Sequence, residues 1–221
     1  MKKLLIIGTG GQGKVVLDCA LSTGNYHDIS FLTNDSTAKE ITGHTIFYEH
    51  DVLSHGKDES ADFSFYDDYD EVVVAIGNNK ARLKKSLHFL ENNIRLATLI
   101  HPRAVISRFS NIQEGSVVFT NAVVNPFSTI GLACIINTAA IVEHDCTIGD
   151  GVHISPNASI AGTVSIGEKS WICVGSSVAN NVSIGANSVV GAGGVVLKDV
   201  PCNVLVAGVP AEIKKYFAVK Q

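Results

Sequence analysis

From residue 106 to residue 196 every sixth position is Ile or Val, running from Ile106 and Ile112 through Val142, Ile148, Ile154 and Ile160 to Val190 and Val196 without a slip in register. Four positions after each sits a small or β-branched residue: Ser110, Ser116, Ala122, Ser128 and Cys134 open a series that ends at Gly194 and Val200. The positions between are rich in Gly, Asn, Asp and Ser. Such a period sets the fold before any local assignment. Six matches neither a helical repeat of about 3.6 nor the alternation of a strand. It predicts short strands that turn a corner once per repeat, each branched residue pointing inward, so that stacked coils share one apolar core.

The chain before the repeats has a different pattern. An apolar run at 3–7 ends in Gly8-Thr9-Gly10-Gly11-Gln12-Gly13, and a helical pattern follows with Val15, Val16, Cys19 and Ala20 on one face and a stop near Gly24. Residues 28–32 read as a second strand, with Thr33-Asn34-Asp35-Ser36 as its loop. A buried strand is expected at 71–76, ending at Gly77-Asn78-Asn79. A helix over 80–91 presents Leu83, Leu87 and Leu90, and a strand follows at 95–100. This is the order of an α/β domain with a parallel sheet, and both glycine turns lie at carboxyl ends of strands, where such sheets bind ligands. Residues 36–70 are hard to read: a strand is expected near 44–48, and 57–70 is charged and aromatic. The boundary falls near residue 100, giving domains 1–100 and 101–221. Past the repeats, Pro210 followed by Ala-Glu-Ile-Lys-Lys-Tyr-Phe predicts a short C-terminal helix with Pro near its first turn.

Composition narrows the partners. Of 221 residues 46% are hydrophobic and 17% charged, with a net charge of -4, so nothing favours nucleic acid or an anionic membrane surface. No stretch approaches the length of a membrane span. The five cysteines are odd in number and form no CxxC pair, which argues against a disulfide framework. Cys134 and Cys146 take the small inward position, where a thiol is an apolar filler. A reducing cytoplasm is the expected compartment.

Two constellations carry candidate chemistry. Gly8, Gly10 and Gly13 match G-x-G-x-x-G between a strand and a helix, the context of a phosphate-cradling turn; a tight turn that needs glycine only for packing is the other reading. An NAD site would want an acid at the end of the second strand, where Thr33 and Asn34 stand. Lys14 is followed by Val15, which excludes a P-loop. In the repeats, 142–153 reads VEHDCTIGDGVH. A histidine at a corner beside a carboxylate, His144 with Asp145, suits a general base, because the carboxylate can fix the tautomer. His153, nine residues on, is expected at a different corner of the coil. A pair of exposed turn histidines is the plainer alternative. A zinc site needs three convergent ligands; His144 and His153 supply two, and the nearest further histidine is His101, so no metal is expected.

At this point the chain resembles a known family. The hexapeptide run is similar to the left-handed parallel β-helix of hexapeptide-repeat acyltransferases, and 191–215, GAGGVVLKDVPCNVLVAGVPAEIKK, to their closing segment. GTGGQGKVV, AIGNNKARLKK, LIHPRAVIS and NTAAIVEHDCTIGDGVHISPNASIAG resemble the bacterial sugar acetyltransferases of the PglD and NeuD type. The resemblance implies an N-terminal Rossmann-like domain that binds a nucleotide-sugar and a C-terminal β-helix that transfers acetyl from acetyl-CoA. It implies a homotrimer with active sites between β-helices. His144 would take the proton as a 4-amino group, or a hydroxyl, attacks the thioester. Asp145 stands where amino-sugar enzymes usually have Glu. Asn137 would lie near the acceptor amine, and His153 would contact acetyl-CoA from a neighbouring subunit. Val174 and Ala192 fall where backbone groups hold the pantetheine arm. Gly10, Gly11 and Gln12 would receive the nucleotide-sugar, facing Gly77, and Thr33 and Asn34 replace the acidic pair that reads uracil. The function implied is N-acetylation of a nucleotide-linked amino-sugar for surface glycans, with O-acetylation of sialic acid or a related sugar as the alternative.

Overall fold

The first apolar run forms a strand, β1 (Lys2–Ile7), in which Leu4, Leu5 and Ile6 are fully buried. A strand buried on both faces belongs in the middle of a parallel sheet, and β1 lies there. On one side it pairs in parallel with β2 (Tyr26–Thr33), outside which lies β3 (Ile46–Tyr48); on the other it pairs with β4 (Glu71–Val74). The computed structural model describes residues 1–38, 40–52 and 63–218, so part of the charged, aromatic stretch at 57–70 lies outside the described residues. The chain divides into two compact units, Met1–Leu99 and Ile100–Gln221.

In the first unit, helix α1 (Gly11–Thr23) follows the glycine turn, α2 (Glu49–Val52) is a single turn, and α3 (Asn79–Glu91) follows β4. Two helical faces differ from expectation. Val15 is exposed while Leu17 is buried, and in α3 the buried stripe is Arg82, Leu83, Ser86 and Phe89, leaving Leu87 exposed. Phe89 sets that stripe by packing edge-on against Tyr66, ring centroids 5.2 Å apart. The strand expected at 95–100 shrinks to one parallel bridge, Leu96 with Val72, and the two residues Leu99–Ile100. At the amino ends of the strands Glu71 is buried. It accepts from Lys2 at 2.5 Å and from the Tyr26 hydroxyl at 2.8 Å, and Arg95 lies 3.4 Å away. That charged knot sits at the end of the sheet opposite the glycine turns.

The second unit is a left-handed parallel β-helix. Two-residue strands recur every six residues and pair in register eighteen residues apart, as in Ile136 with Ile154 and Ile154 with Ile172, forming three parallel sheets. The sixth-position Ile and Val residues point inward and are buried from Val118 onward. Each corner needs one residue in the left-handed region, and from Gly115 to Gly193 that position comes every six residues, held by Asn121, Asn157, Asn181 and Asn187 among others. Asn and Gly tolerate that region with little cost, which explains the polar filling between the hydrophobic positions. The buried serines of the coils are satisfied, as Ser116 shows. Ser116 donates to Gly131 O at 2.7 Å and accepts from Cys134 N at 2.8 Å, so its hydroxyl ties one coil to the next. Satisfied in this way, a hydroxyl is tolerated in an apolar core.

The expected C-terminal helix is instead a strand, Glu212–Tyr216, antiparallel to Val204–Ala207. Val204–Ala207 extends the eight-stranded sheet as its next parallel member, and its outer side offers an unpaired edge. The chain satisfies that edge by turning back at Pro210, because backbone groups at a sheet edge are a ready template for another strand.

Candidate active site

The corner carrying His144 draws on three successive coils. Val142 points into the core, and the chain leaves it through Glu143 and His144 to Asp145, whose φ of 58° supplies the turn. From the coil before, Ser128 donates its hydroxyl to Glu143 O at 2.5 Å, and Pro126 O accepts from Asp145 N at 3.1 Å. From the coil after, Thr163 N donates to His144 O at 2.9 Å. Cys146 adds its thiol to the same carbonyl at 3.7 Å, and burial raises that thiol's pKa above the ordinary value, keeping the proton it donates. The backbone under His144 is therefore held from both sides.

His144 Nδ1 lies 2.8 Å from Asp145 Oδ2. An ionised carboxylate can only accept, so Nδ1 is the nitrogen that donates to Asp145, and in the neutral ring the lone pair is then on Nε2. Both side chains are 54% exposed. A pair so exposed adds little stability; what it fixes is the tautomer and the ring's direction. The ring lies over Gly162, one coil on, where a Cβ would meet Nε2 and Cε1 at 2.6 Å. Among the sixteen residues two places after each sixth-position Ile or Val, Gly162 is the one glycine. Sequence reasoning passed over it, although its offset of eighteen from His144 was the available signal.

A second group sits elsewhere on the coil. His153 is not at a corner: it begins the His153–Ile154 strand, faces outward on the eight-stranded sheet, and is 9% exposed. Nine residues is a multiple of half a coil, but the corner residues lie two and three places after each inward Ile or Val, and His153 precedes one. Asn137 Oδ1 accepts from Thr138 N at 2.8 Å, which leaves its amide nitrogen to face His153 Nε2 at 3.1 Å. Trp171, one coil later and also missed from sequence, stacks on the His153 ring at 5.8 Å and 7° and donates to Ser155 Oγ at 2.8 Å. Val174 and Ala192 are exposed on the corner following this sheet, with Gly193 N donating to Val174 O at 2.9 Å. Asn137 and His153 thus meet; in one chain the Ile141–Val142 strand separates them from His144 and Asp145. A groove of about 670 Å³ on a third face, bounded by Thr147, Ser165, Ser183 and Asp199, contains none of these residues. Among the described residues no group of three or more His, Cys, Asp or Glu is placed to hold a metal ion.

In the α/β unit the three glycines of the first turn have separate reasons. Gly8 has φ 107°, and a Cβ on Gly13 would stand 2.2 Å from Gly8 O, so these two serve the turn and the helix–strand contact. Gly10 and Gly11 have open space around them, and the N-terminus of α1 has no side-chain cap and no acid in its first turn. Such an end favours an anion. The Gln12 amide nitrogen is buried there without a hydrogen-bond partner. Thr33 is buried, its hydroxyl engaged by Thr9 at 3.2 Å and Asp35 N at 3.1 Å, whereas Asn34 is exposed. Asp35 accepts from the Thr37 hydroxyl and N–H, which lower its pKa below the usual carboxylate value. At the second turn Gly77 is exposed, and beneath it the fully buried Arg82 donates to Ile76 O at 2.9 Å, Gly77 O at 3.3 Å and Asn79 Oδ1 at 2.8 Å. No helix among the described residues is long and apolar enough to cross a membrane.

A family model described as the PglD N-terminal domain matches residues 3–87. Perosamine N-acetyltransferase (PerB) from Caulobacter crescentus, solved in complex with CoA and GDP-perosamine, is 34% identical over 96% of this chain and 97% of that one, with a TM-score of 0.84. It has also been solved with one histidine replaced by asparagine or by alanine. The acetyltransferase domain of PglB from Neisseria gonorrhoeae is 36% identical over 96% of this chain and all of that one, with a TM-score of 0.86, and has been solved with acetyl coenzyme A. WeeI from Acinetobacter baumannii, 24% identical with a TM-score of 0.79, shares the fold. No curated protein sequence matches the chain. Identity of 34–36% along nearly its whole length places the chain in the hexapeptide-repeat sugar acetyltransferases of the PglD and NeuD type, and it belongs to that family.

Proposed function

We propose that this protein transfers acetyl from acetyl-CoA to the 4-amino group of a nucleotide-linked amino-sugar, with His144 as general base. The observation that carries this reading is the oriented His144–Asp145 pair, 2.8 Å apart, with Nε2 left open above Gly162. The relatives solved with CoA, acetyl coenzyme A and GDP-perosamine support the choice of donor and acceptor. The amine nitrogen attacks the thioester carbonyl carbon, and Nε2 takes a proton from it as the N–C bond forms. Asp145 stabilises the imidazolium. The tetrahedral intermediate collapses, the C–S bond breaks, and the proton passes to the departing thiolate, leaving an amide and CoA thiol.

In this reading residues 1–100 receive the nucleotide. The open backbone at Gly10 and Gly11 and the uncapped start of α1 suit its diphosphate, and Gln12 and Asn34 are its candidate polar contacts. Thr33 shapes the turn from inside, because its hydroxyl is already engaged. Residues 101–221 carry the transfer. The second group, Asn137, His153, Val174 and Ala192, belongs to the acceptor amine and the pantetheine arm. It meets His144 when the His144 corner of one copy faces the Asn137 corner of its neighbour, which is the basis for proposing a homotrimer.

The test is thiol release from acetyl-CoA with UDP-, dTDP- and GDP-linked 4-amino-sugars and with free sialic acid. His144→Ala is expected to lower kcat with the best acceptor by roughly 10²–10⁴ while the assembly's mass is unchanged. An unaltered kcat would remove His144 from the chemistry, and turnover of sialic acid alone would replace the amine with a hydroxyl.

A further inference from the structure

On the eight-stranded sheet, Ile135, His153, Trp171, Val189 and Leu205 follow one another in register. Aliphatic side chains serve on the rungs to either side, so the strand itself does not ask for an indole, and Trp171 is the chain's one tryptophan. Its indole is fixed twice. The ring stands 5.8 Å from the His153 imidazole and 7° from parallel, the separation of an offset stack. Its Nε1–H donates to Ser155 Oγ at 2.8 Å. Ser155 lies two residues beyond His153, is buried, and donates its own N–H to Ile172 O at 2.8 Å. On the other side His153 is paired with Ile135, which is fully buried. The imidazole therefore sits between an aliphatic rung and an aromatic one, with an edge toward Asn137. There the amide nitrogen, which can only donate, stands 3.1 Å from Nε2, so Nε2 accepts. A ring turned out of that plane loses the bond.

We infer that Trp171 is a positioning residue of the acetyl-CoA site, acting through His153 by holding the imidazole in the plane that keeps Nε2 on Asn137. The inference rests on the reading that gives Asn137 and His153 to the acceptor amine and the pantetheine arm. A histidine facing outward from a two-residue strand has side-chain freedom to lose when a ligand binds. The stack and the Ser155 bond remove that freedom beforehand, so the ligand meets a ring already set, and the gain goes to affinity. Trp171 touches no reacting atom in this reading. Its contribution is shared by ground state and transition state, which places it in binding more than in the rate of transfer.

The test uses Trp171→Val, the residue that the next rung carries at Val189, and Trp171→Phe, which keeps a stacking ring and loses the bond to Ser155. The Kd of acetyl-CoA is measured by calorimetry without acceptor, kcat by thiol release, and assembly mass by light scattering. Trp171→Val is expected to raise Kd by roughly three- to tenfold, the range that one ring pair supplies, and to lower kcat by less than Kd rises. Trp171→Phe is expected to recover most of the loss. On the His153→Ala background, Trp171→Val is expected to add nothing. The single tryptophan gives a spectroscopic check: its emission should move to longer wavelength in His153→Ala, as water replaces the ring on one face. A raised Kd in His153→Ala with an unchanged Kd in Trp171→Val overturns the inference and leaves the reading of His153 intact. A further loss on the His153→Ala background also overturns it, by putting the indole itself on the ligand. So does a changed mass in Trp171→Val, which would give the indole to a contact between copies, and so does an emission that ignores His153→Ala. An unchanged Kd in His153→Ala overturns the reading of His153 and the inference together.

Discussion

Gly162→Ala isolates the orientation of His144 from every other property of the site. The new methyl would stand 2.6 Å from both Nε2 and Cε1 of His144 and 3.2 Å from Cδ2, with no backbone atom among its nearest neighbours. Ordinary contact between such atoms is about 3.5–4.0 Å, so the ring must move by roughly 1 Å. It has room to do so, since the side chain is 54% exposed, and Gly162 does not sit in the left-handed region that would resist a side chain. Folding stability should therefore change by less than about 1 kcal/mol, with the sign open to a small gain from the stiffer unfolded chain. Catalysis should suffer far more. A reacting group misplaced by about 1 Å costs about 10²-fold, equivalent to roughly 2.7 kcal/mol in the barrier. The assay is kcat by thiol release under saturating acetyl-CoA and amino-sugar, alongside a urea denaturation curve. The same substitution is then made on His144→Ala. Because Gly162 is argued to act only through the imidazole, the double variant should match His144→Ala within about twofold, the non-additivity expected of residues in contact. An unchanged kcat in Gly162→Ala, or a second 10²-fold loss on the His144→Ala background, would refute the orientation argument.

Two further predictions concern the α/β unit. Arg82→Ala removes a fully buried guanidinium that donates to Ile76 O, Gly77 O and Asn79 Oδ1; a loss of about 3 kcal/mol or more in urea denaturation is expected, with Arg82→Lys recovering part of it, and a loss under about 1 kcal/mol would show that the turn is held without it. Stability should also fall at alkaline pH. Desolvation, helped by the charge of Asp18, raises Cys19 from 9.0 to about 12, and desolvation with the charge of Glu49 raises Tyr66 from 10.0 to about 12. The unfolded chain releases these protons first, so their contribution is whole below pH 9 and is lost as pH climbs toward 12. At pH 10.5 the two together should lower the unfolding free energy by roughly 2–3 kcal/mol relative to pH 8; a urea midpoint that is flat between those pH values would contradict it.

The period of six determined most of the second unit. It told which residues point inward, because Ile106 to Val196 keep one phase, and it placed turn-forming residues at the corners, where the left-handed backbone demands them. The strand–glycine turn–helix order likewise gave the α/β unit and both of its open turns, since local propensity and binary pattern agree there. His144 beside Asp145 was legible because the two are neighbours in the chain. What the pattern left undecided is which outward residues touch. That depends on the coil length of eighteen, which stacks Gly162 on His144, Trp171 on His153 and Phe127 on Phe109. His153 lies on a strand and not at a corner because nine residues are one and a half repeats, which carries the corner position of His144 to the residue just before an inward Ile. Helical spacing alone put Leu83, Leu87 and Leu90 on one apolar stripe of α3, and packing of Phe89 against Tyr66 turned the helix to bury Arg82, Leu83, Ser86 and Phe89 instead. The C-terminal segment became a strand because a free sheet edge lay beside it, and a free edge exists only once the coils have stacked.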